Sequence, residues 1–342
     1  MLRNLFHLNK IFSILFLGGL CFFACNDAKQ KSKKIVPEKD SLFSLTYPFG
    51  FEELTFPLDK QLTKARVELG KKIFFDAQFS ADKKISCSSC HHPELAFADT
   101  VQFNFGSHDS INKRNTPSIL NIGYHKLFDY DGGVPTLEQQ VLVPFDGEKE
   151  MQSNLVKAAE LMKKDKLYVS LSQKSYWRNP DPYVIVRALA AYQRSLISTG
   201  SKYDLQKKYP SKKVLTTEEK DGMNLFFSDK TNCSKCHNGF LFTNLGFENI
   251  GLPINGSDSG RILVTLKLTD FAKFKTPGLR NVAKTFPYMH DGSLQSLEKV
   301  IEFYNKGGIE KRNKSPFIKP LGLTKIEQKA LISFLKTLND TI

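Results

Sequence analysis

Cys87-Ser-Ser-Cys90-His91 and Cys233-Ser-Lys-Cys236-His237 are the two stretches on which the reading of this chain turns. Each sets two thiols three residues apart, with a histidine directly after the second. That is the pattern of a c-type haem attachment site. The thiols add to the two porphyrin vinyl groups, and the adjacent imidazole turns onto the iron. The rival readings are zinc, a redox dithiol and disulfides. A zinc ribbon keeps its second pair much closer and leaves both histidines unexplained. A redox motif accounts for a single pair. Two covalently bound c-type haems are therefore expected, one on Cys87, Cys90 and His91, the other on Cys233, Cys236 and His237.

The segments that lead into the two sites resemble each other. Gly70-Lys-Lys-Ile-Phe-Phe-Asp76 precedes the first and Gly222-Met-Asn-Leu-Phe-Phe-Ser-Asp229 the second. The second stretch opens with a capping box, Thr216-x-x-Glu219. This reads as a duplicated cytochrome c unit whose first helix runs into the haem loop. A further capping box, Thr324-x-x-Glu327, starts a closing helix with Ile326, Ala330, Leu331, Phe334, Leu335 and Leu338 on one face. Between His91 and Gly222 lies more chain than a cytochrome c domain requires, with helices expected near 153–165 and 181–198. Strand signals are sparse. The expected fold is mainly α: two cytochrome c-like haem domains, 51–205 and 206–342, the first elaborated, with haem sites facing a shared interface.

At 342 residues, 41% hydrophobic and 25% charged, the chain is long enough for two such domains. Residues 1–25 differ from the rest. Arg3 and Lys10 precede an apolar run from Ile11 to Ala24, the pattern of an export signal. It ends in Ala24-Cys25-Asn26-Asp27, which resembles a bacterial lipoprotein cleavage site. On that reading Cys25 carries a lipid anchor on the periplasmic side of the cell envelope, and 26–50 form a Lys-rich tether. An ordinary signal peptide with an incidental cysteine is the alternative. The body has no second apolar run long enough to span a membrane. The net charge of +14 comes without Arg/Lys clusters interleaved with aromatics, so no nucleic-acid partner is expected. The basic bias reads first as a solvated Lys-rich surface, and second as a face that suits docking of an acidic electron donor.

The motifs together resemble the bacterial di-haem cytochrome c peroxidase and MauG family over nearly all of residues 50–340. They are CSSCH, Arg114-Asn-Thr-Pro-Ser-Ile-Leu-Asn121, Tyr130-Asp-Gly-Gly-Val-Pro-Thr-Leu-Glu-Gln-Gln140 and Gly147-Glu-Lys-Glu-Met151. After CSKCH come Leu279-Arg-Asn-Val282 and Pro287-Tyr-Met-His-Asp-Gly292. The resemblance implies that hydrogen peroxide is reduced at the haem on His91, with Gln140 and Glu150 on its distal side. The haem on His237 would pass electrons from a small redox protein, a cytochrome c or a cupredoxin. The chemistry agrees: splitting the O–O bond needs a carboxyl to move a proton between the two oxygens and an amide to orient the peroxide. The resemblance further implies one calcium ion between the domains, held by the Asn115 side chain and the carbonyls of Thr285 and Pro287. It also allows for a homodimer.

Three positions depart from the family pattern. The distal ligand of the C-terminal haem, usually methionine, falls on Tyr304. Met289 is the rival ligand, and a plain core aromatic is the third reading of Tyr304. The place of the tryptophan between the haems is taken by Tyr130, so the electron path would run through a phenol. A distal histidine that must leave the peroxidatic iron in some members has His108 near its place, shifted by one residue. Two other functions stay open beside the peroxidase: a MauG-like oxidase acting on a protein or organic substrate, and a di-haem electron carrier without enzymatic activity.

Overall fold

Thr63 opens the first long helix, α1 (Lys64–Phe74), by accepting a hydrogen bond from the Arg66 amide. That satisfies one of the N–H groups a helix leaves bare at its start. The computed structural model describes residues 40–198, 200–254 and 258–340. The signal segment with Cys25 and the tether as far as residue 39 lie outside the described residues. From Asp40 onward the chain is bonded to the body. Asp40 Oδ1 accepts from Ala65 N at 3.1 Å, and Leu42 pairs with Thr63. Residues 40–50, expected as the end of a tether, thus begin bonded to the body, because a carboxylate at the N-terminus of α1 meets bare N–H groups and the positive end of the helix dipole.

After the first CxxCH turn come α2 (Leu137–Gln140), α3 (Leu142–Asp146), α4 (Leu155–Lys163), α5 (Lys166–Tyr176) and α6 (Pro182–Arg194). Then follow α7 (Lys202–Lys208), α8 (Thr217–Phe226), α9 (Cys233–Cys236), β1 (Phe247–Glu248), α10 (Ile262–Thr265), β2 (Phe274–Lys275), α11 (Leu297–Lys306) and α12 (Lys325–Lys336). β1 and β2 pair antiparallel, Phe247 opposite Lys275 and Glu248 opposite Phe274. The fold is mainly α, and among the described residues no helix is long and apolar enough to cross a membrane. The helices expected near 153–165 and 181–198 are α4 and α6. α5 is additional: its inward positions are Tyr168, Leu171, Ser172, Ser175 and Tyr176, and hydroxyls on the buried face blur the apolar period.

Two hydrophobic clusters lie within the single unit 37–342. One gathers α1, α4, α5 and α6; the other gathers α8, α11 and α12. Each is centred on a helix crossing made close by a glycine. A Cβ on Gly70 would stand 1.9 Å from the Ala188 carbonyl oxygen, and one on Gly222 would stand 1.9 Å from that of Ala330. One turn on, Phe74 meets Tyr192 at 5.1 Å and Phe226 meets Phe334 at 5.2 Å. Both capping boxes form as expected, at Thr216 and Thr324. Ile326 departs from the expected inward face: it lies in the first turn of α12, short of the crossing at Ala330, and is 83% exposed.

The two halves share more than their first helices. Thr116-Pro117 matches Thr276-Pro277, Asn121 matches Asn281, Gly132 matches Gly292, and Leu137-Glu138 matches Leu297-Glu298, all at one constant spacing. The backbone follows. Asn121 and Asn281 are both left-handed at φ 59° and 60°. Phe128 pairs with Val134 as Tyr288 pairs with Leu294. Asp129 and Met289 both have positive φ. The strands that carry these repeats are joined reciprocally: Asn115 N donates to His290 O at 2.8 Å, and its counterpart Lys275 N donates to Tyr130 O at 2.6 Å.

Candidate functional site

In each half the CxxCH turn comes after a helix whose last residue, Phe74 or Phe226, is buried in the core. His91 lies against the Phe97 carbonyl, Nδ1 to O 2.8 Å, and His237 against the Phe242 carbonyl at 3.0 Å. A carbonyl only accepts, so the proton sits on Nδ1 and the Nε2 lone pair is left for a metal. Burial pushes both imidazoles below their ordinary value, which favours the neutral form that ligation requires. The four cysteines are free and half-buried. Burial pushes the thiols of Cys87 and Cys90 up to about 12, and that of Cys236 up to about 11.

All six of these side chains line one cavity of about 830 Å³. Two thiols and one free imidazole nitrogen at each end of a largely apolar cavity fit two covalently held haems. Cys87, Cys90 and His91 would hold one, and Cys233, Cys236 and His237 the other.

The distal sides of the two halves differ. In the first, Val141 joins α2 to α3 with helical dihedrals (φ −60°, ψ −28°), Pro144 brings no N–H to the turn it ends, and the wall is formed by Gln140, Val143, Pro144 and Glu150. Burial, with the nearby Asp129 second, pushes the Glu150 carboxyl up to about 7. Asp129 is itself raised by burial, partly offset by the Gln140 side chain and the charges of Lys275 and Arg114. Gln140 Oε1 is buried with no hydrogen-bond partner among the described residues, an acceptor aimed at nothing the chain supplies.

In the second half the corresponding stretch is α11, and Tyr304 stands where the first half has Pro144. Burial raises its phenol, and the thiols of Cys233 and Cys236 raise it further, which sets the ring beside that pair. Met289 lines the same cavity, in the place that Asp129 holds in the first half.

His108 does not line the cavity. It is exposed, with Nδ1 3.2 Å from Gln152 Oε1. Its loop is tied outward: Ser107 N donates to Glu150 O at 2.7 Å and His108 N to Asp82 Oδ2 at 3.1 Å. Gly106 presses on the Lys149 carbonyl so closely that a Cβ would lie 2.2 Å from it.

Between the two ends of the cavity, Tyr130 meets His290 edge-on, centroids 6.4 Å apart. His290 in turn stacks on Phe274 at 3.6 Å, and Arg114 ties Asp131 to Asp258, each at 2.8 Å. Asn115 is buried, and its Nδ2 donates to the carbonyls of Val101 and Gln102. That leaves Oδ1 as its remaining acceptor. Thr285 and Pro287 line the cavity with it. Asp129 and Lys275 were not among the expected site residues. The internal match of 114–144 with 274–304 is the signal that finds them.

Comparison with known proteins agrees with this geometry. The family model for di-haem cytochrome c peroxidase matches residues 64–209. The methylamine utilization protein MauG of Methylorubrum extorquens is 33% identical over 84% of this chain and 82% of its own. The cytochrome-c peroxidase IdrP1 of Pseudomonas sp. (strain SCT) is 31% identical over 83% of each. The crystal structure of a MauG-like protein associated with microbial copper homeostasis superposes with a TM-score of 0.81 at 30% identity, covering 87% of this chain and 96% of that one. The chain belongs to the di-haem cytochrome c peroxidase and MauG family, a di-haem, peroxidase-type class of oxidoreductases.

Proposed function

We propose that this protein reduces hydrogen peroxide to water at the haem on His91, with electrons delivered through the haem on His237. The observation that carries the reading is the asymmetry of the distal walls. Gln140 and a raised Glu150 lie with Pro144 in the wall at one end, and Tyr304 fills the corresponding wall at the other. A haem bound at His91 supplies the iron and the electrons that peroxide reduction consumes. Glu150 takes a proton from one peroxide oxygen and returns it to the other, so that the outer oxygen leaves as water. Two electrons and two protons convert one peroxide to two waters. Gln140 Oε1, lacking a partner, accepts from the peroxide O–H and orients it. With His108 tied to Gln152 outside the cavity, peroxide meets an open site without prior reduction.

At the other end Tyr304, beside Cys233 and Cys236, would help to hold the haem on His237, and Tyr130 with His290 would lie on the path between the haems. Asn115 Oδ1 and the carbonyls of Thr285 and Pro287 would hold calcium, being hard oxygen ligands of the kind that ion takes. The two domains divide near 205. The donor is a small redox protein, and the chain is exported and lipid-anchored at Cys25. The test is stopped-flow mixing of the oxidised protein with peroxide, then steady-state turnover with a reduced cytochrome c. Prompt reaction and rapid turnover support the peroxidase; two low-spin haems that ignore peroxide even when partly reduced defeat it.

A second reading, a MauG-like oxidase, is favoured by Tyr304 and by the MauG relative. Tyr130 in the tryptophan place argues against it. Peroxide reactivity with negligible turnover on any cytochrome c would decide for the oxidase.

A further inference from the structure

The duplication makes a specific statement about Lys275. The three residues read as calcium ligands, Asn115, Thr285 and Pro287, have counterparts in the other half at Lys275, His125 and Leu127. The two sets share one backbone frame, because Asn115 N bonds His290 O just as Lys275 N bonds Tyr130 O. At the counterpart place the Lys275 Nζ donates to the Leu127 carbonyl at 2.9 Å. That is the carbonyl corresponding to Pro287. The ammonium also lies beside His125, whose imidazole is pushed down to about 3, by burial first and then by the lysine charge. Burial pushes the Lys275 ammonium down to about 8, while Asp129 and Asp131 both favour its charged form.

We propose that Lys275 is a built-in cation: its ammonium fills, by internal symmetry, the place that a metal ion takes between Asn115, Thr285 and Pro287. The wall carrying Asp129 and Tyr130 is then held by a covalently attached charge, and only the opposite wall depends on a bound metal. A positive charge at this place serves the peroxide end of the cavity, since Asp129 acts on Glu150. The inference rests on the reading of Asn115 as a calcium ligand, and the two can fail separately.

The experiment measures calcium bound per chain, and the unfolding temperature in calcium and in chelator, for the holoprotein and three variants. Lys275→Asn supplies an oxygen donor where Asn115 has one. It should bind one more calcium than the wild type, and its lowered unfolding temperature should be recovered by calcium. Lys275→Met supplies none, and should stay low at any calcium concentration. Lys275→Arg keeps the charge and should bind no more calcium than the wild type. A folded Lys275→Asn that takes up no additional calcium and responds to it no more than the wild type overturns the proposal. So does a Lys275→Met as stable as the wild type in chelator. A wild type that binds no calcium defeats the Asn115 reading, whereas a gain in Lys275→Asn alone still supports the built-in cation.

Discussion

Ser198 Oγ donates to Asp340 Oδ2 across 2.5 Å, and these two residues hold the same place in the two halves. Ser198 follows the helix that crosses α1, and Asp340 follows the helix that crosses α8. Each is fixed by one of the paired asparagines: Ser198 N donates to Asn121 Oδ1 and Asp340 N to Asn281 Oδ1, both at 3.0 Å. The halves therefore touch through equivalent residues at this contact, as they do at Tyr130 and His290.

Burial raises the Asp340 carboxyl from its ordinary value of 3.8, against hydrogen bonds from Ser198 and Asn281. A raised value means that the folded state holds the proton more tightly. The stability it contributes is full below the ordinary value and lost as pH rises through the folded one. Asp340→Asn keeps an acceptor for Ser198 and does not titrate. Its unfolding temperature relative to wild type should therefore climb as pH rises from acid to neutral. A difference that stays flat with pH would show that Asp340 titrates as it does in water.

Glu150→Gln should slow the reaction with peroxide by roughly 10²–10⁴-fold, with haem content and the oxidised optical spectrum unchanged. Equal loss of haem would point to a structural role instead.

The carboxyl of Glu150, pushed up to about 7, must be ionised to take the peroxide proton. The second-order rate with peroxide should then rise with pH through about 7 and level off above it. Asp129→Asn removes a neighbouring negative charge and should move the inflection to lower pH. Glu150→Gln should abolish it. An inflection unmoved by either change would assign the titration elsewhere.

Tyr304→Met exchanges a phenol for a thioether, which raises haem potentials. The midpoint potential of the haem on His237 should increase. Tyr304→Phe removes the ligand, and that haem should become high-spin in the electron paramagnetic resonance spectrum. If Tyr304→Phe leaves the spectrum as it was, Met289 or another group holds the iron.

Gly222→Ala drives a Cβ to 1.9 Å from the Ala330 carbonyl. Helices α8 and α12 must separate, at a cost of about 1–3 kcal/mol, seen as a lower unfolding temperature. Gly70→Ala should do the same at α1 and α6. A neutral result at either would mean that the crossing is looser than the structure has it.

How much of this was legible beforehand depended on how local the chemistry is. The haem sites were readable because thioether formation and ligation demand two cysteines and a histidine at fixed spacing. The capping boxes at Thr216 and Thr324 were readable because both partners lie within one turn. Glu150 was found through a family motif, since nothing in Glu148-Lys149-Glu150 distinguishes one acid from the other; burial does that. α5 was hidden by the hydroxyls on its inner face. Ile326 was misjudged because periodicity states which face a residue shares, not where the neighbouring helix stops. Lys275 was invisible, since its place depends on a backbone pairing with Tyr130 made across nearly half of the chain.

Pro144 and Tyr304, at one repeated position of the same ten-residue helical stretch, bear on how such a protein diversifies. Two copies of one unit bring the same cysteines and histidine, so neither copy needs a new attachment site to acquire a separate task. A ring without a donor in one copy and a phenol in the other make the two cavity walls chemically unlike, while the backbone beneath them keeps its length. After a duplication, the first difference between two such walls can be the work of a single codon.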